Sequence, residues 1–598
     1  MKWSVIVFAI TGLWQGLVFP AAAPRFVPER VPVSGNAWQG ECDSFSFAIL
    51  GDKTSGGEGK WPIFDQAVNE INLLAPDFVI TTGDHIPGHM EERTQWNAEW
   101  AEYREHAGNL ECPLVLVPGN HDIANTRCYE FWQEDFGATY FFFEYGKCLF
   151  LVLNTEEERF DGRGPVWEKM TAFAERALQE HGEVRHTFLF FHKPMWADPR
   201  FAGDWRRLSA ALGKRRYTAI AGHEHYLSTT YQDGNPLIVL NATGGGVRES
   251  AVRDFGGFHA FAHVTVNSGS VQMAIVTPGD GIFPVDAAPA SFREAVNRRV
   301  VRLDADTPEG MDTPEVEVKA SALISNPFEK PIAVRVSLGP FQKSGWIVPA
   351  ESPFHCEPSG DRCSVEVTLE PGGKQTVPLP FTVPVSALPT PPAVTWAVRY
   401  DGQWLEKESM PMAEVNVAPL YPSSAWRDVP KWQLAGPFPL GPIDVSKLPR
   451  DPAGANPNLY KHFGPEGGYD ASAHYTGGIT WHPAASSGNG LLNHNALLGT
   501  VDLAAAYAGF FVCSPEDQTT HAALYADNFA QVYLNGILVE SGQTFNAPGG
   551  FIYVPLALKP GWNPVVVKVI NNRGDWFLRW LVADPRENLA FSDTPPAP

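Results

Sequence analysis

The stretch LVLVPGNHD, residues 114–122, decides the fold because it joins a short apolar run directly to a glycine and three polar side chains. In four other stretches a short apolar run likewise leads to glycine or a ligand-type side chain: FSFAILGD (45–52), FVITTGD (78–84), TFLFFH (187–192) and YTAIAGHEH (217–225). Each apolar run is short, branched or aromatic, and ends at a turn residue, which predicts a buried β-strand. Residues 64–74 and 167–178 have helical spacing of apolar side chains, and strands that alternate with helices indicate an α/β domain.

The polar residues after these strands are candidate ligands of one site. In an open α/β sheet, ligands bind where loops leave the carboxyl ends of the strands. Oxygen and imidazole donors together suit Mn, Fe or Zn. Each motif alone has a simpler interpretation, as a helix N-cap, a turn or a surface loop. Their order along the chain favours one joint site that contains Asp52, Asp84, Asn120, His192, His223 and His225.

These residues resemble the signature of the calcineurin-like metallophosphoesterases, over roughly residues 44–280. The resemblance implies a four-layer αββα sandwich and a site for two divalent or transition metal ions, at which activated water hydrolyses a phosphate mono- or diester. It implies that Asp84 bridges both metals and that His121 is the catalytic histidine, oriented by Asp122. It also implies two further ligand sets, Asp52 with His225 for one metal, and Asn120 with His192 and His223 for the other.

One position departs from the family pattern. Thr54 stands where most members carry a histidine ligand, and Pro87 stands where the purple acid phosphatase branch carries a tyrosine. One metal site therefore has three assignable protein ligands, and water or His85 could complete it, or it could stay unfilled. The alternative to a phosphoesterase is thus a non-catalytic or single-metal binding or scaffold protein on the same fold. Metal content separates the two hypotheses.

Length and charge limit the partners. A chain of 598 residues predicts a multidomain protein. The formal net charge of −22 argues against nucleic acid or anionic lipid as a bulk partner. It leaves room for a small phosphoester substrate, because bound metals set the local potential.

The N-terminus predicts export. Lys2 precedes an apolar run over residues 3–19 and the small residues 21–23, so residues 1–23 resemble a signal peptide of a secreted or periplasmic protein. A retained N-terminal anchor is the alternative, and no later apolar run is long enough to span a membrane. Cys356 and Cys363 flank a turn between apparent strands, where a hairpin disulfide would form in an oxidising compartment.

The second half of the chain predicts all-β sandwich domains. Short alternating runs separated by Pro and Gly indicate an immunoglobulin-like sandwich over residues 300–418, and the Pro/Ser-rich residues 419–424 mark a boundary. Residues 425–585 loosely resemble galactose-binding-like jelly rolls. Trp562, Trp576 and Trp580 could stack on a glycan there, but core packing is the simpler role.

Overall fold

The chain forms two compact units, Met1–Ala290 and Ser291–Pro598. The computed structural model describes residues 24–38, 43–54, 61–157, 164–305, 315–339, 346–349, 351–384, 394–405, 425–440, 461–545, 551–572 and 574–594. The predicted signal peptide, residues 1–23, and the predicted boundary, residues 419–424, lie outside the described residues.

The first unit contains two sheets and helices on their outer faces. Its strands are β1 (Phe26–Val27), β2 (Phe45–Leu50), β3 (Phe78–Thr81), β4 (Leu114–Val115), β5 (Phe141–Tyr145), β6 (Cys148–Val152), β7 (His186–Phe190), β8 (Tyr217–Ala221), β9 (Ser228–Gln232), β10 (Asn235–Val239), β11 (Phe261–Val266), β12 (Val271–Thr277) and β13 (Gly281–Pro284). Its helices are α1 (Trp61–Leu74), α2 (Arg93–Ala107), α3 (Thr126–Asp135), α4 (Pro165–Glu180) and α5 (Ala202–Leu212). The sheet orders are β1-β5-β6-β7-β8-β10-β9 and β13-β12-β11-β2-β3-β4.

Parallel strands lie in the middle of the first sheet and at one end of the second, and they place the polar motifs. β2 runs parallel to β3, and β3 to β4. In the other sheet β6, β7, β8 and β10 are parallel in turn. Parallel strands end at the same edge of their sheet, so the loops after β2, β3 and β4 lie together, as do those after β7 and β8.

An aromatic core joins the two sheets. Phe47 of β2 is fully buried. Its ring centroid lies 5.2 Å from that of Phe150 and 5.0 Å from that of Phe188, both in the opposite sheet. It also stacks on Phe78 of its own sheet at 5.2 Å. The apolar runs of the sequence therefore meet face to face behind the strand ends.

Helices cover the other face of each sheet. α1 buries residues at helical spacing, namely Phe64, Ala67, Val68 and Ile71. These side chains share an apolar cluster with residues of β2 and β3 and with α2 and α3. α4 and α5 bury apolar residues in a second cluster with β6, β7 and β8. The residue spacing that predicts helices around residues 64–74 and 167–178 is thus the spacing that seats them on the sheets.

The second unit is built of antiparallel sheets. Its strands are β14 (Val301–Ala305), β15 (Glu315–Ser325), β16 (Ile332–Leu338), β17 (His355–Cys356), β18 (Cys363–Leu369), β19 (Lys374–Pro384), β20 (Val394–Tyr400), β21 (Gln403–Leu405), β22 (Trp426–Asp428), β23 (Lys431–Pro439), β24 (His482–Ala485), β25 (Leu491–Asn493), β26 (Ala504–Ser514), β27 (Gln518–Asp527), β28 (Phe529–Leu534), β29 (Ile537–Phe545), β30 (Ile552–Leu558), β31 (Gly561–Asn571), β32 (Phe577–Ala583) and β33 (Ala590–Ser592). Short helices α6 (Ala290–Glu294) and α7 (His494–Leu498) accompany them. The main sheet orders are β14-β15-β19, β17-β18-β16-β20-β21, β22-β32-β27-β30 and β24-β23-β26-β31-β28-β29.

The structure shows the predicted cysteine pair and the three candidate tryptophans of the second unit. Cys356 and Cys363 form a disulfide between β17 and β18, as the hairpin spacing predicts. Trp576 and Trp580 are buried in the apolar core, whereas Trp562 is 39% exposed. Core packing is therefore the role of the first two tryptophans. Among the helices of the described residues, none is both long and apolar enough to cross a bilayer.

Replacing Phe47 by alanine should lower the free energy of unfolding of the first unit by about 3–5 kcal/mol, because it leaves a cavity among the rings of Phe78, Phe150 and Phe188. Native-state hydrogen exchange of the β2 amides measures this change. Leu73→Ala is the control: this leucine is 86% exposed, and its loss should change stability by less than about 0.5 kcal/mol. Equal protection of β2 in Phe47→Ala and the parent chain would contradict this account of the core.

Candidate metal centre

Asp84 lies at the centre of the site, in the loop that follows β3. Its φ of 57° is a left-handed conformation that non-glycine residues rarely adopt and that clusters at functional sites. Its Oδ1 accepts a hydrogen bond from the backbone N–H of His121 at 2.8 Å. Its Oδ2 lies 3.3 Å from Nε2 of His192. The loop therefore aims one carboxylate oxygen at the imidazoles while the backbone holds the other.

A first ligand group consists of Asp84, His192 and His223, whose ligand atoms all lie within 4.8 Å of one another. Nδ1 of His223 is 3.2 Å from Nε2 of His192. The side-chain oxygen of Asn120 lies 2.9 Å from the same Nε2. Oxygen and nitrogen lone pairs this close need a cation among them, either a proton or a metal ion. These four side chains come from four separate loops, which follow β3, β4, β7 and β8.

A second ligand group consists of Asp52, Asp84 and His225, again with ligand atoms within 4.8 Å of one another. Oδ2 of the fully buried Asp52 lies 3.1 Å from Nε2 of His225. The Thr82 hydroxyl donates to Oδ1 of Asp52 at 3.0 Å. Asp84 belongs to both groups, so the structure places one carboxylate between two potential cation sites.

Backbone carbonyls set the orientation of two imidazoles. Nδ1 of His192 lies 2.8 Å from the Thr82 carbonyl oxygen, and Nδ1 of His225 lies 2.5 Å from that of Gly246. A carbonyl only accepts, so each Nδ1 carries the proton and each Nε2 faces a carboxylate. Metal-binding histidines commonly show this arrangement, in which the outer nitrogen is held by a carbonyl and the inner one is presented to the ion.

Two glycines allow the loops to approach this closely. A Cβ added at Gly119 would lie 2.3 Å from Oδ1 of Asp84. A Cβ added at Gly222 would lie 2.2 Å from Oδ1 of Asp52. Both distances are far below van der Waals contact, so the glycines of these two motifs are required by the position of the carboxylates.

Buried charges decide which of these groups hold protons. Burial favours a high pKa for the Asp84 carboxyl, but the charges of His192 and His121 keep that pKa well below its usual value. Burial alone would lower the pKa of His192, yet the Asp84 carboxylate outweighs it and raises this pKa to about 10. Burial and the neighbouring His192 keep the pKa of His223 well below its usual value. The site therefore attracts cations, and a metal ion would compete with protons for it.

The predicted partnership of Asp122 with His121 is not seen. Nδ1 of His121 lies 2.7 Å from the Pro87 carbonyl oxygen, and Nε2 lies 4.0 Å from Oδ2 of Asp84. The Pro87 carbonyl, rather than a carboxylate, orients this histidine. Asp122 instead ties two loops together, because its carboxylate accepts from the backbone N–H groups of Asp84, His85 and Gly119.

His85 does not complete the second ligand group. Its buried ring lies between Oδ2 of Asp122, 2.9 Å from Nδ1, and the hydroxyl of Thr81, 2.8 Å from Nε2. Both ring nitrogens are thus occupied, and the interpretation of His85 as a ligand is wrong. Thr54 contacts the Asp84 loop through its backbone N–H, which donates to the Asp84 carbonyl at 3.0 Å.

A buried ion pair beside the ligand groups has no motif in the sequence. Nζ of Lys193 lies 2.8 Å from Oε2 of Glu156, and both side chains are buried. The Lys193 charge helps to lower the pKa of His223, and the Glu156 charge helps to raise that of His192. Lys193 directly follows the predicted ligand His192, but Glu156 lies in a loop that has no recognisable sequence motif. The pairing of the two residues is therefore visible only in the tertiary structure.

Comparison with known families identifies the domain that carries this site. Residues 45–227 match the family model described as calcineurin-like phosphoesterase. The chain therefore contains a calcineurin-like phosphoesterase domain with the metallophosphoesterase fold, followed by a region of β-sheets. This confirms the family resemblance over residues 45–227, whereas the galactose-binding-like resemblance of the second unit stays a prediction.

Among curated proteins, the human serine/threonine-protein phosphatase CPPED1 is 33% identical over 165 residues, which are 25% of this chain and 51% of that protein. A probable glycerophosphodiester phosphodiesterase GpdQ of Arcobacter nitrofigilis is 30% identical, over 29% of this chain and 65% of its own length. The chain spans about half the length of the first relatives it matches. These matches support a hydrolase activity of the domain.

Among solved structures, a dimetal phosphatase from Danio rerio aligns with 40% of this chain and 98% of its own length, at a TM-score of 0.30 and 14% identity. A purple acid phosphatase from yellow lupin aligns with 42% of this chain and 54% of its own length, at a TM-score of 0.33 and 14% identity.

Metal binding should release protons near neutral pH. A metal ion needs the Nε2 lone pair of His192, and with a pKa of about 10 this imidazole is protonated at pH 7. We expect the apparent Mn²⁺ affinity to rise about tenfold per pH unit for each proton displaced, between pH 6.5 and 8.5. Calorimetric titration in buffers of different ionisation enthalpy counts the protons.

Two variants control this measurement. Asp84→Ala should bind neither ion tightly, whereas Asp254→Ala, which removes an exposed carboxylate outside both ligand groups, should behave like the parent chain. An Mn²⁺ affinity that does not change over this pH range would contradict the protonated state assigned to His192.

Proposed function

We propose that this protein is an exported, metal-dependent phosphoesterase that hydrolyses phosphate mono- or diesters. One observation carries the proposal: two groups of carboxylate and imidazole ligands share the buried Asp84 carboxylate at the edge where parallel strands end. The matched phosphoesterase domain spans every one of these residues.

The donor set is suited to two ions of Mn, Fe or Zn, because it combines carboxylate, amide and imidazole ligands. Asn120, His192 and His223 would hold one ion, Asp52 and His225 the other, and Asp84 both. When bound, such ions supply Lewis acidity and a water nucleophile active at neutral pH. Asp52 and Asp84 carry fewer negative charges than two divalent ions carry positive ones, so the loaded site stays cationic and favours a phosphate group.

His121 would act on the leaving group. Its Nε2 points toward the ligand groups, 4.0 Å from Oδ2 of Asp84, while the Pro87 carbonyl holds a proton on Nδ1. In the imidazolium form, Nε2–H can transfer its proton to the leaving ester oxygen, which then departs as an alcohol rather than an alkoxide. General acid catalysis of this kind contributes about 10²–10⁴-fold to a rate. Asp122 acts one step away, by fixing the loops that hold Asp84 and Gly119.

The names of the relatives suggest the substrate class. One relative is called a serine/threonine-protein phosphatase and another a probable glycerophosphodiester phosphodiesterase, that is, a monoesterase and a diesterase. We propose that the substrate here is likewise a small phosphoester of one of these two types.

The alternative is a single-metal binding or scaffold protein, and unequal donor numbers favour it. The first ligand group gains Asn120 as a fourth donor. Among described residues the second group has three, because Thr54 replaces the family histidine and the His85 ring is occupied. A chain that binds one ion per molecule and lacks turnover would support this alternative.

The domain architecture around the site is also part of the proposal. We propose that the first unit is a four-layer αββα sandwich, and that the second unit contains an immunoglobulin-like and a jelly-roll β-sandwich as accessory domains. Glycan binding by the latter would use the exposed Trp562, since the other two candidate tryptophans are buried. Export is supported by the signal-like residues 1–23 and by the Cys356–Cys363 disulfide.

His121→Ala should lower turnover by about 10²–10⁴-fold while leaving metal content nearly unchanged, because the proposed role of this histidine is that of a proton donor rather than a metal ligand. The loss should be large for alkyl phosphates, whose alkoxide leaves poorly, and small for nitrophenyl esters. Turnover of both substrate types, together with metal analysis of the same preparation, checks this.

His474→Ala is the matched control, because this exposed histidine lies in the second unit, and its loss should change neither quantity. Equal losses on both substrates would assign His121 to stabilisation of the phosphoryl oxygens. Full activity of His121→Ala would contradict the proposed role altogether.

A further inference from the structure

A second cavity lies in the first unit, at the opposite end of the strands that lead to the ligand groups. Its volume is about 370 Å³, and its polar lining includes Arg185, His186, Arg216, Tyr217, Tyr231 and Asn267. His186 begins β7, and His192 follows the end of the same strand. Six residues at about 3.3 Å each separate the cavity from the metal centre by roughly 20 Å.

Two arginines face this cavity without a carboxylate partner. The exposed Arg216 side chain makes no hydrogen bond or ion pair with any described residue. Arg185 donates from one terminal nitrogen to the carbonyls of Asp43, at 2.7 Å, and Asn267, at 3.2 Å. Its Nε and its other terminal nitrogen have no hydrogen-bond partner among the described residues. Among described residues, neither Asp nor Glu lines the cavity.

The neighbouring histidine is affected by this positive charge. Burial lowers the pKa of His186 to about 4, and the charges of Arg216 and Arg185 act in the same direction. Its Nε2 lies 3.0 Å from the hydroxyl of Thr218. His186 is therefore neutral at pH 7 and adds a polar wall, while the two arginines supply the charge. Asp43, Asp233 and Asp286 lie close enough to interact electrostatically with Arg185, Tyr217 and Tyr231, respectively, but none of them lines the cavity. In a chain with a formal net charge of −22, a cavity lined by two arginines and by no carboxylate of a described residue is an unusual local feature.

The rest of the lining suits an apolar or planar group. Tyr231 is 54% exposed, and the inner wall includes Ile238, Val266 and Met273. The Tyr217 hydroxyl is buried there, and no hydrogen-bond partner for it is found in the described part of the chain. A volume of this size lies within the range of small-molecule sites, which combine apolar walls with a few polar groups.

We propose that this cavity is a second binding site, which takes a small organic phosphate carrying a ring. The phosphate would meet the Arg216 guanidinium, whose planar set of donors suits bidentate contacts to phosphate oxygens. The ring would lie against Tyr231. The site is distinct from the metal centre and needs none of the metal ligands, so it stands whether or not the proposed phosphoesterase activity does.

Calorimetric titration of the full chain with phenyl phosphate in EDTA tests this inference. We expect one binding event, and we expect Arg216→Ala to weaken it at least tenfold. Arg206→Ala, which removes an exposed arginine of α5 outside the cavity, should bind like the parent chain. Tyr231→Ala should weaken phenyl phosphate but not inorganic phosphate, since only the former has a ring.

Asp84→Ala separates this site from the metal centre, and it should bind phenyl phosphate with unchanged affinity. Loss of binding in that variant would place the ligand at the metal centre and overturn the inference. Equal binding by Arg216→Ala and Arg206→Ala would overturn it as well. Tighter binding of benzoate than of phenyl phosphate would overturn the assigned ligand class. Thermal unfolding of every variant, including Asp84→Ala with its buried side chain, checks that the fold is retained before the affinities are compared.

Discussion

The structure depends on the burial of two carboxylates, Asp52 and Asp84, next to each other at the ends of adjacent parallel strands. A buried carboxylate is unstable unless cations and hydrogen bonds compensate it. Here the compensation comes from His192 and His225 at 3.3 and 3.1 Å and from backbone N–H groups. Most other features of the site keep these charges compensated, including the left-handed turn at Asp84 and the glycines that make room for it.

The apolar strands make this arrangement possible. Side chains on both faces of β2 and β7 are buried, on one side between the sheets and on the other beneath helices. The strand ends are thereby fixed, and loops from separate parts of the chain converge on one edge. Strain in such loops is tolerated because the surrounding core determines their position. The aromatic core thus holds the strand ends in place, and the ligand groups lie in the loops that directly follow those strand ends.

Much of the site follows from the sequence because each ligand sits directly after an apolar run. Strand ends, helix faces and the Cys356–Cys363 hairpin are local patterns, and the structure shows them where the spacing predicts them. Contacts between distant loops are different. Asp122 binds His85 rather than orienting His121, and Glu156 pairs with Lys193 across the fold. The cationic cavity is also lined by residues from several strands that are far apart in the sequence, so no sequence motif predicts it.

The most direct test of the central claim, that Asp84 serves two cation sites, is anomalous X-ray diffraction from crystals grown with Mn²⁺. The account predicts two anomalous peaks, each at coordination distance from an Asp84 oxygen. One peak would also contact His192 and His223, and the other Asp52 and His225. A single peak that contacts His192 and His223 but not Asp52 would contradict the shared role of Asp84 and favour a single-metal protein. Peaks away from Asp84 would contradict the site itself.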